Sequence, residues 1–409
     1  MNILLGVTGS IANYKSFDVV RKLIKNGHSV KVVLTKGALE FIKPETFRYL
    51  GANSVYLPND DFIPEYLKPG ATVLHIELAK WTDKMVIAPA SANTLSRLAN
   101  GITNDLLSSI FTALGKRPVL IFPAMNTEMW KNERIQEQKL KLETLSHVGI
   151  VHPVSGLLAC GDIGAGKFPE TNSVVDLIEC YNPMNNKNKK IVITAGATAS
   201  PLDPIRYITN PSSGKMGLSI AKAFLESGYK VTILAGHQCI SEVENLTGHP
   251  NFQLLKTPTT KLMKEAAMSI FPESDLYISS GAIADIEFDP ANIKLKKEAL
   301  GNSLPFKQAP DILKEILSIR KHQKVISFAA ETETTQDVFM EKMNRKPVDL
   351  MIGNKVSNGL IGSPLIEGFQ QDEGEYFFIN KSSISGPIKL SKDELGLRLV
   401  EWFNGQQEC

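Results

Sequence analysis

Twice in this chain an apolar run ends in a turn of small residues, continues as an amphipathic stretch closed by glycine, and returns as a second apolar run. The first instance is Ile3 to Val7, the turn Thr8-Gly9-Ser10, a stripe of Phe17, Val20, Leu23 and Ile24, a closing Gly27, and Val30 to Leu34. The second is Ile191 to Ile193, Gly196, a helical stretch from about Gly214 with Met216, Ile220, Ala223 and Phe224 on one stripe, a closing Gly228, and Val231 to Leu234. Apolar residues three and four apart mark a helix with one buried stripe, whereas short unbroken apolar runs mark strands covered on both faces. Strand, helix and strand in that order imply a parallel pair joined by a crossover. Met85 to Ala88 and Val119 to Phe122 are further strands, each followed by proline. The expectation is an α/β fold of two doubly wound, Rossmann-like domains with mainly parallel sheets.

Between the two instances lies Tyr181 to Lys190, polar and charged, with a proline and no apolar periodicity. It reads as a linker, giving domains at 1–185 and 186–409, and a chain of 409 residues is long enough for both. Lysine and arginine number 45 against 43 acidic residues, a formal net charge of +2. That balance offers no basic field for nucleic acid or an anionic membrane. No apolar run approaches the ~18 residues that cross a bilayer, and the first ten residues lack the basic lead of a signal peptide. Cys160, Cys180, Cys239 and Cys409 show no CxxC spacing, which suits a reducing cytosol. The expectation is a cytoplasmic enzyme with small-molecule partners.

A turn after the first strand of such a sheet aims backbone N–H groups and a helix start at one point, which favours a phosphate. Neither half has G-x-G-x-x-G or a P-loop Lys-Ser pair. The acidic residue that holds a dinucleotide ribose is replaced by Thr35 in the first half and Ala235-Gly236 in the second. A nicotinamide dehydrogenase is therefore disfavoured.

Two stretches of the first half follow strands: Pro89-Ala90-Ser91-Ala92-Asn93-Thr94 and Pro123-Ala124-Met125-Asn126-Thr127-Glu128-Met129-Trp130. Small hydroxyl and amide residues there can cap a helix or bind a phosphate or ring edge. With His75-Ile76-Glu77-Leu78 and the opening Gly9-Ser10-Ile11-Ala12-x-Tyr14-Lys15, they resemble the flavin-dependent cysteine decarboxylase family. Ala159-Cys160-Gly161-Asp162-Ile163-Gly164-x-Gly166 is similar to the cysteine loop of phosphopantothenoylcysteine decarboxylases, and its glycines suggest a mobile, exposed loop. The resemblance implies FMN held by Gly9, Ser10, Ile11, Thr35, Ser91, Asn93, Thr94 and Met125, although Met125 and Met129 read by themselves as packing. It implies that His75 is the acid/base group, that Asn126 binds the substrate carboxylate and that Cys160 protonates an enethiol. The chemistry is coherent, because loss of CO₂ leaves a carbanion that a thioaldehyde, made by flavin oxidation of the thiol, can absorb. His28, His147, His152, His237, His249 and His322 have no such context and read as structural.

In the second half, Ser212 and Ser213 before Gly214 offer donors to an anion at a helix start, and Lys215 adds charge. Arg206 and Asn210 lie just upstream on a loop facing that point. Lys294-Leu295-Lys296-Lys297 is a basic run, Lys342 and Lys346 at i,i+4 share a helix face, and Phe328 ends the strand Val325 to Phe328, where it can stack on a base. Together these resemble the phosphopantothenate–cysteine ligase family, and the whole chain resembles the bifunctional decarboxylase–ligase family of bacterial coenzyme A biosynthesis. The resemblance implies that Asn210 and Arg206 handle an acyl-cytidylate and that Lys294 forms it. CTP contacts are implied for Ser212, Gly214, Lys215, Ser279, Ser280, Gly281, Asp285, Lys294, Pro310, Asp311, Ile312, Leu313, Phe328, Lys342 and Lys346. Mg²⁺ is expected with CTP, without named ligands. Ser200 stands where the family usually has glutamate. The resemblance also implies trimers with FMN at their interfaces, assembled into a dodecamer. The alternative is a flavin-binding regulatory protein of the same fold that performs no catalysis.

Overall fold

The computed structural model describes residues 1–63, 73–157, 161, 163–183, 188–296, 303–356 and 372–405. The chain divides into two compact units, Met1–Asn186 with Gly248–Pro250, and Lys187–Thr247 with Asn251–Cys409. Among the described residues no helix is long and apolar enough to cross a membrane.

The first unit is built on β1 (Asn2–Val7), β2 (Ser29–Leu34), β3 (Ser54–Tyr56), β4 (Lys84–Ala90), β5 (Val119–Pro123) and β6 (Val148–Ile150). They form a parallel sheet in the order β3-β2-β1-β4-β5-β6. Successive strand residues point to opposite faces, so Ile3, Leu5 and Val7 enter one core while Leu4 enters the other. Both faces are apolar because helices cover both, which explains the unbroken runs. The helix Lys15–Lys25 buries Val19, Val20 and Leu23, with Phe17 and Ile24 at the edge of the contact, so the buried stripe sits slightly to one side of the expected one. Gly27 follows it with φ of 84°, the left-handed geometry of a helix stop. Beyond the sheet, β7 (Val154–Leu157) and β8 (Ile163–Lys167) pair antiparallel. These arms are strands where the sequence suggested only an irregular loop.

The second unit contains β9 (Lys190–Ala195), β10 (Ala199–Pro201), β11 (Tyr207–Thr209), β12 (Lys230–Ala235), β13 (Phe252–Lys256), β14 (Leu276–Ser279) and β15 (Ile286–Glu287). It continues with β16 (Lys307–Gln308), β17 (Lys324–Glu331), β18 (Leu350–Lys355), β19 (Glu373–Ile379) and β20 (Ile384–Ser391). Its main sheet runs β13-β12-β9-β14-β17-β18-β19-β20. The strands from β13 to β18 are parallel and repeat the order of the first unit; β19 and β20 add an antiparallel edge. In each sheet the order reverses beside the first strand, between β1 and β4 and between β9 and β14. That point leaves a crevice at the carboxyl ends of the strands.

Candidate active sites of the two units

In the first unit the ends of β1, β4 and β5 are tied together by hydroxyls. Thr8 Oγ1 donates to the Pro89 carbonyl at 2.8 Å and accepts from the Ser91 N–H at 2.8 Å. Ser10 Oγ donates to the Ala124 carbonyl at 2.9 Å. Three short helical starts converge as a result, capped by Ser10, Ser91 and Asn126. They border a cavity of 380 Å³ lined by Gly9, Ser10, Ile11, Ser91, Met125 and Asn126, and by Leu157, Gly166 and Phe168 from the β7–β8 side. Gly166, with φ of 149°, is required there: an added Cβ would lie 2.2 Å from the Met125 carbonyl oxygen. Asn126 Oδ1 accepts from the Glu128 N–H at 2.8 Å, which orients its amide.

Not every expected flavin residue reaches this cavity. Thr35 is buried, its hydroxyl accepting from the Ala38 N–H to start the helix Lys36–Leu39. Thr94 is buried one turn into the helix Ala92–Ala99 with its Oγ1 3.1 Å from Ser91 Oγ, and Asn93 is exposed on that helix away from the lining. His75 is also absent from the lining. It stands near the start of the helix Leu74–Trp81, where its Nδ1 lies 2.7 Å from Asp61 Oδ2 and its backbone N–H donates to Asp61 Oδ1 at 3.0 Å. Asp61 is the partner sequence reasoning missed; an acid fourteen positions away has no local pattern to betray it. Cys160 lies outside the described residues, between the two arms β7 and β8.

Two clefts formed by described residues of the second unit share Phe328. One, of 170 Å³, is lined by Ser212, Gly214, Lys215, Ser280 and Gly281 and also by Asn354, Tyr376 and Lys392. Gly214 has φ of 81° and starts the helix Lys215–Glu226 without a side-chain cap, and Met216 faces the cleft instead of the core. Ser280 Oγ donates to the Thr194 carbonyl at 2.6 Å, and the Gly281 N–H donates to Thr194 Oγ1 at 3.0 Å, so β14 ends against β9. Ser279, the last residue of β14, does not line either cleft.

The other cleft, of 560 Å³, gathers Asp311, Leu313, Lys314, Lys342, Arg345 and Lys346 around Phe328 and Ser327. Ser327 Oγ is buried and has no hydrogen-bond partner among the described residues. Lys346 does not share a helix face with Lys342; it is the residue after the helix Gln336–Arg345, where the backbone has left helical geometry. The two ammonium groups pair separately, Lys342 with Glu331 and Lys346 with Asp311 at 2.7 Å. Burial, Arg345 and Lys346 push the Lys342 amine below its ordinary value, against the pull of Asp285. Ile312 is fully buried in the core, so its side chain is not available to a ligand, and Pro310 lies outside the lining.

Arg206 is turned away from both clefts. Its Nε and Nη2 donate to Asp203 Oδ2 at 3.0 and 2.5 Å, and Nη2 also donates to the Leu295 carbonyl at 2.6 Å. Hydrogen bonds from Arg206, with further backbone donors, hold the buried Asp203 carboxyl far below the usual range, against the opposing effect of burial. Lys294 is exposed beside this clasp, and Asn210 Nδ2 reaches the Ala282 and Ile283 carbonyls at 3.4 Å each. Ser200 is buried and donates to the Ile286 carbonyl at 2.5 Å.

Residues 1–181 match the family model Flavoprotein, and residues 186–405 match DNA/pantothenate metabolism flavoprotein C-terminal domain. The chain is 34% identical over 403 residues to the Coenzyme A biosynthesis bifunctional protein CoaBC of Haemophilus influenzae, covering 96% of this chain and 95% of that one. It belongs to the CoaBC family. The protein of the same name from Bacillus subtilis is 35% identical over 368 residues, 88% of this chain and 87% of its own. Among solved structures, a PPC decarboxylase mutant complexed with pantothenoylaminoethenethiol shares 34% identity over 42% of this chain and 93% of its own, with a TM-score of 0.39. The site neighbours that motif reading did not find include Asp61, Asp203, Lys314, Ser327, Arg345, Asn354, Tyr376 and Lys392. Among the described residues no group of three or more His, Cys, Asp or Glu forms a metal cage.

Proposed function

We propose that the second unit joins 4′-phosphopantothenate to L-cysteine through an acyl-cytidylate formed with CTP. The first unit, residues 1–185, then decarboxylates the product to 4′-phosphopantetheine in the cytoplasm. The observation that carries this reading is the contrast between the cavity at the strand ends of the first unit and the cationic cleft of the second. One has apolar walls with hydroxyl and amide donors, suited to a flat ring bearing a phosphate; the other collects Lys314, Lys342, Arg345 and Lys346, suited to a polyanion.

The first cavity fits FMN: Ile11, Met125 and Phe168 offer apolar faces, and the N–H groups behind Ser10 and Ser91 offer an anion site. When bound, the flavin supplies the two-electron redox chemistry that interconverts the substrate thiol and thioaldehyde. Asn126, oriented through Oδ1, holds the substrate carboxylate until CO₂ leaves. Cys160 returns a proton to the enethiol. His75 exchanges protons with the thiol through Nε2, since Nδ1 is engaged by Asp61. Because His75 does not line its own chain's cavity, we assign it to the cavity of a neighbouring copy in a trimer, with trimers joined as a dodecamer. Exposed Ile11, Tyr14 and Leu157 around the cavity, and Phe62 at 80% exposure next to Asp61, support such an interface.

In the second unit a carboxylate oxygen of 4′-phosphopantothenate attacks the α-phosphorus of CTP and expels pyrophosphate. The cysteine amine then attacks the acyl carbon and releases CMP. Lys294, Lys342 and Lys346 offset the charge that gathers on phosphate oxygens, and Mg²⁺ arrives as part of the CTP substrate complex. Phe328 offers its ring to the base. Arg206 acts indirectly, holding the Leu295 carbonyl and so the position of Lys294.

Purified full-length protein should be yellow. With Mg²⁺ it should release pyrophosphate only when CTP and 4′-phosphopantothenate are both present, CMP only when cysteine is added, and CO₂ after that. Lys294→Gln should abolish the acyl-cytidylate, whereas Asn210→Asp should let it accumulate to a mass detectable by spectrometry. Colourless protein that evolves no CO₂ in added FMN would overturn the decarboxylase assignment, and identical behaviour of the two variants would overturn the division of roles.

A further inference from the structure

The antiparallel edge of the second unit brings a charge into the smaller cleft. Lys392 is the first residue of the helix Lys392–Phe403 and is only 8% exposed, yet it lines the same cleft as Ser212, Gly214 and Lys215. No described side chain forms a hydrogen bond or ion pair with its ammonium. The acids nearby are committed elsewhere: Asp372 to Lys215 at 2.8 Å, and Glu394 to the Ser391 N–H and hydroxyl at 2.7 and 2.8 Å.

This placement is unfavourable on three counts. Burial costs the ammonium its hydration, and together with Lys215 it pushes the amine below the ordinary lysine value, with Asp372 opposing. The start of a helix carries partial positive charge and prefers an acid there. Folding by itself gives no reason for a cation in this position. An anion in the cleft does, because it would meet both Lys392 and the start of the helix Lys215–Glu226.

We propose that Lys392 is a ligand for a phosphoryl anion held in the smaller cleft together with the Gly214 turn. The identity of that anion rests on the ligase reading: it is a phosphate of CTP or the phosphate of 4′-phosphopantothenate. The presence of an anion site does not rest on that reading.

The test uses the full chain with Lys392→Met and Lys392→Arg, titrated with inorganic pyrophosphate and with CTP by calorimetry. Lys392→Met should weaken both by about 10- to 100-fold, while the melting temperature of the ligand-free protein stays level or rises. Lys392→Arg should retain more affinity than Lys392→Met. Steady-state kinetics separate the sources, since a raised KM for CTP names its phosphates and a raised KM for 4′-phosphopantothenate names the other. Binding by Lys392→Met equal to wild type overturns the proposal. So does lost affinity with a fallen ligand-free melting temperature that Lys392→Arg does not rescue. If pyrophosphate binds in a Lys392-dependent way but no CTP is consumed, the ligase reading fails and the anion site stands.

Discussion

A buried carboxylate needs donors for both oxygens, and Asp203 has them in the N–H groups of Ile205, Arg206 and Leu295 and in the Arg206 guanidinium. Because its folded-state pKa is depressed, it adds stability that is fully present above the ordinary carboxylate pKa and lost as the pH falls through the lower, folded value. Asp203→Asn should therefore melt earlier than wild type at pH 7, and the gap should narrow below about pH 4; a gap independent of pH would contradict the assignment. The same logic of a third group applies to His75. Asp61→Ala should cut decarboxylation by about 10- to 100-fold with flavin content unchanged, and retention of full turnover would show that the imidazole needs no orientation. The Asp61–His75 pair and the Leu295 contact could not be read locally, although Asp203 and Arg206 lie only three positions apart. Asp203 and Arg206 were visible as letters in a proline-rich loop, but which groups a buried acid meets depends on chain that returns from Leu295.

At the scale of elements, the strands and their cores were legible because a parallel strand covered on both faces must be apolar at every position. Truncating a fully buried member such as Leu5 or Ile193 to alanine costs about 2–5 kcal/mol. The hairpin arms β7 and β8 and the edge strands β19 and β20 were not legible. β7, β8 and β20 are mostly exposed or half-buried, each holds glycine and carries little alternation, and the pairing partner supplies the order that the pattern lacks. Gly166 shows how much depends on that partner. Gly166→Ala would press a methyl group into the Met125 carbonyl and displace the hydrogen bond from the Met125 N–H to the Gly166 carbonyl, now 3.1 Å. The strain is of order 1–3 kcal/mol. The variant should lose flavin on gel filtration while its far-ultraviolet dichroism stays native; flavin retained at the wild-type ratio would refute that role.

For the whole molecule, the decisive expectation concerns copies of the chain. If His75 serves a neighbour's cavity, an inactive His75→Gln protein and an inactive Asn126→Asp protein should regain decarboxylation when co-expressed, since some mixed cavities pair intact residues. Complete inactivity of the mixture, with mixed oligomers verified by mass, would place both groups in one chain. The sequence by itself determined the two α/β units and the strand ends where ligands gather, since periodicity and turn chemistry are local properties. It also determined the family, because its motifs are contiguous. Tertiary structure decided which motif residues face a cavity: it buried Thr35 and Thr94, tied Arg206 to Asp203, separated Lys342 from Lys346, and brought Lys392 to the Gly214 turn. The reason is physical. Which of these side chains a cavity exposes and which the fold buries is set by elements distant in the chain, and local spacing does not encode that.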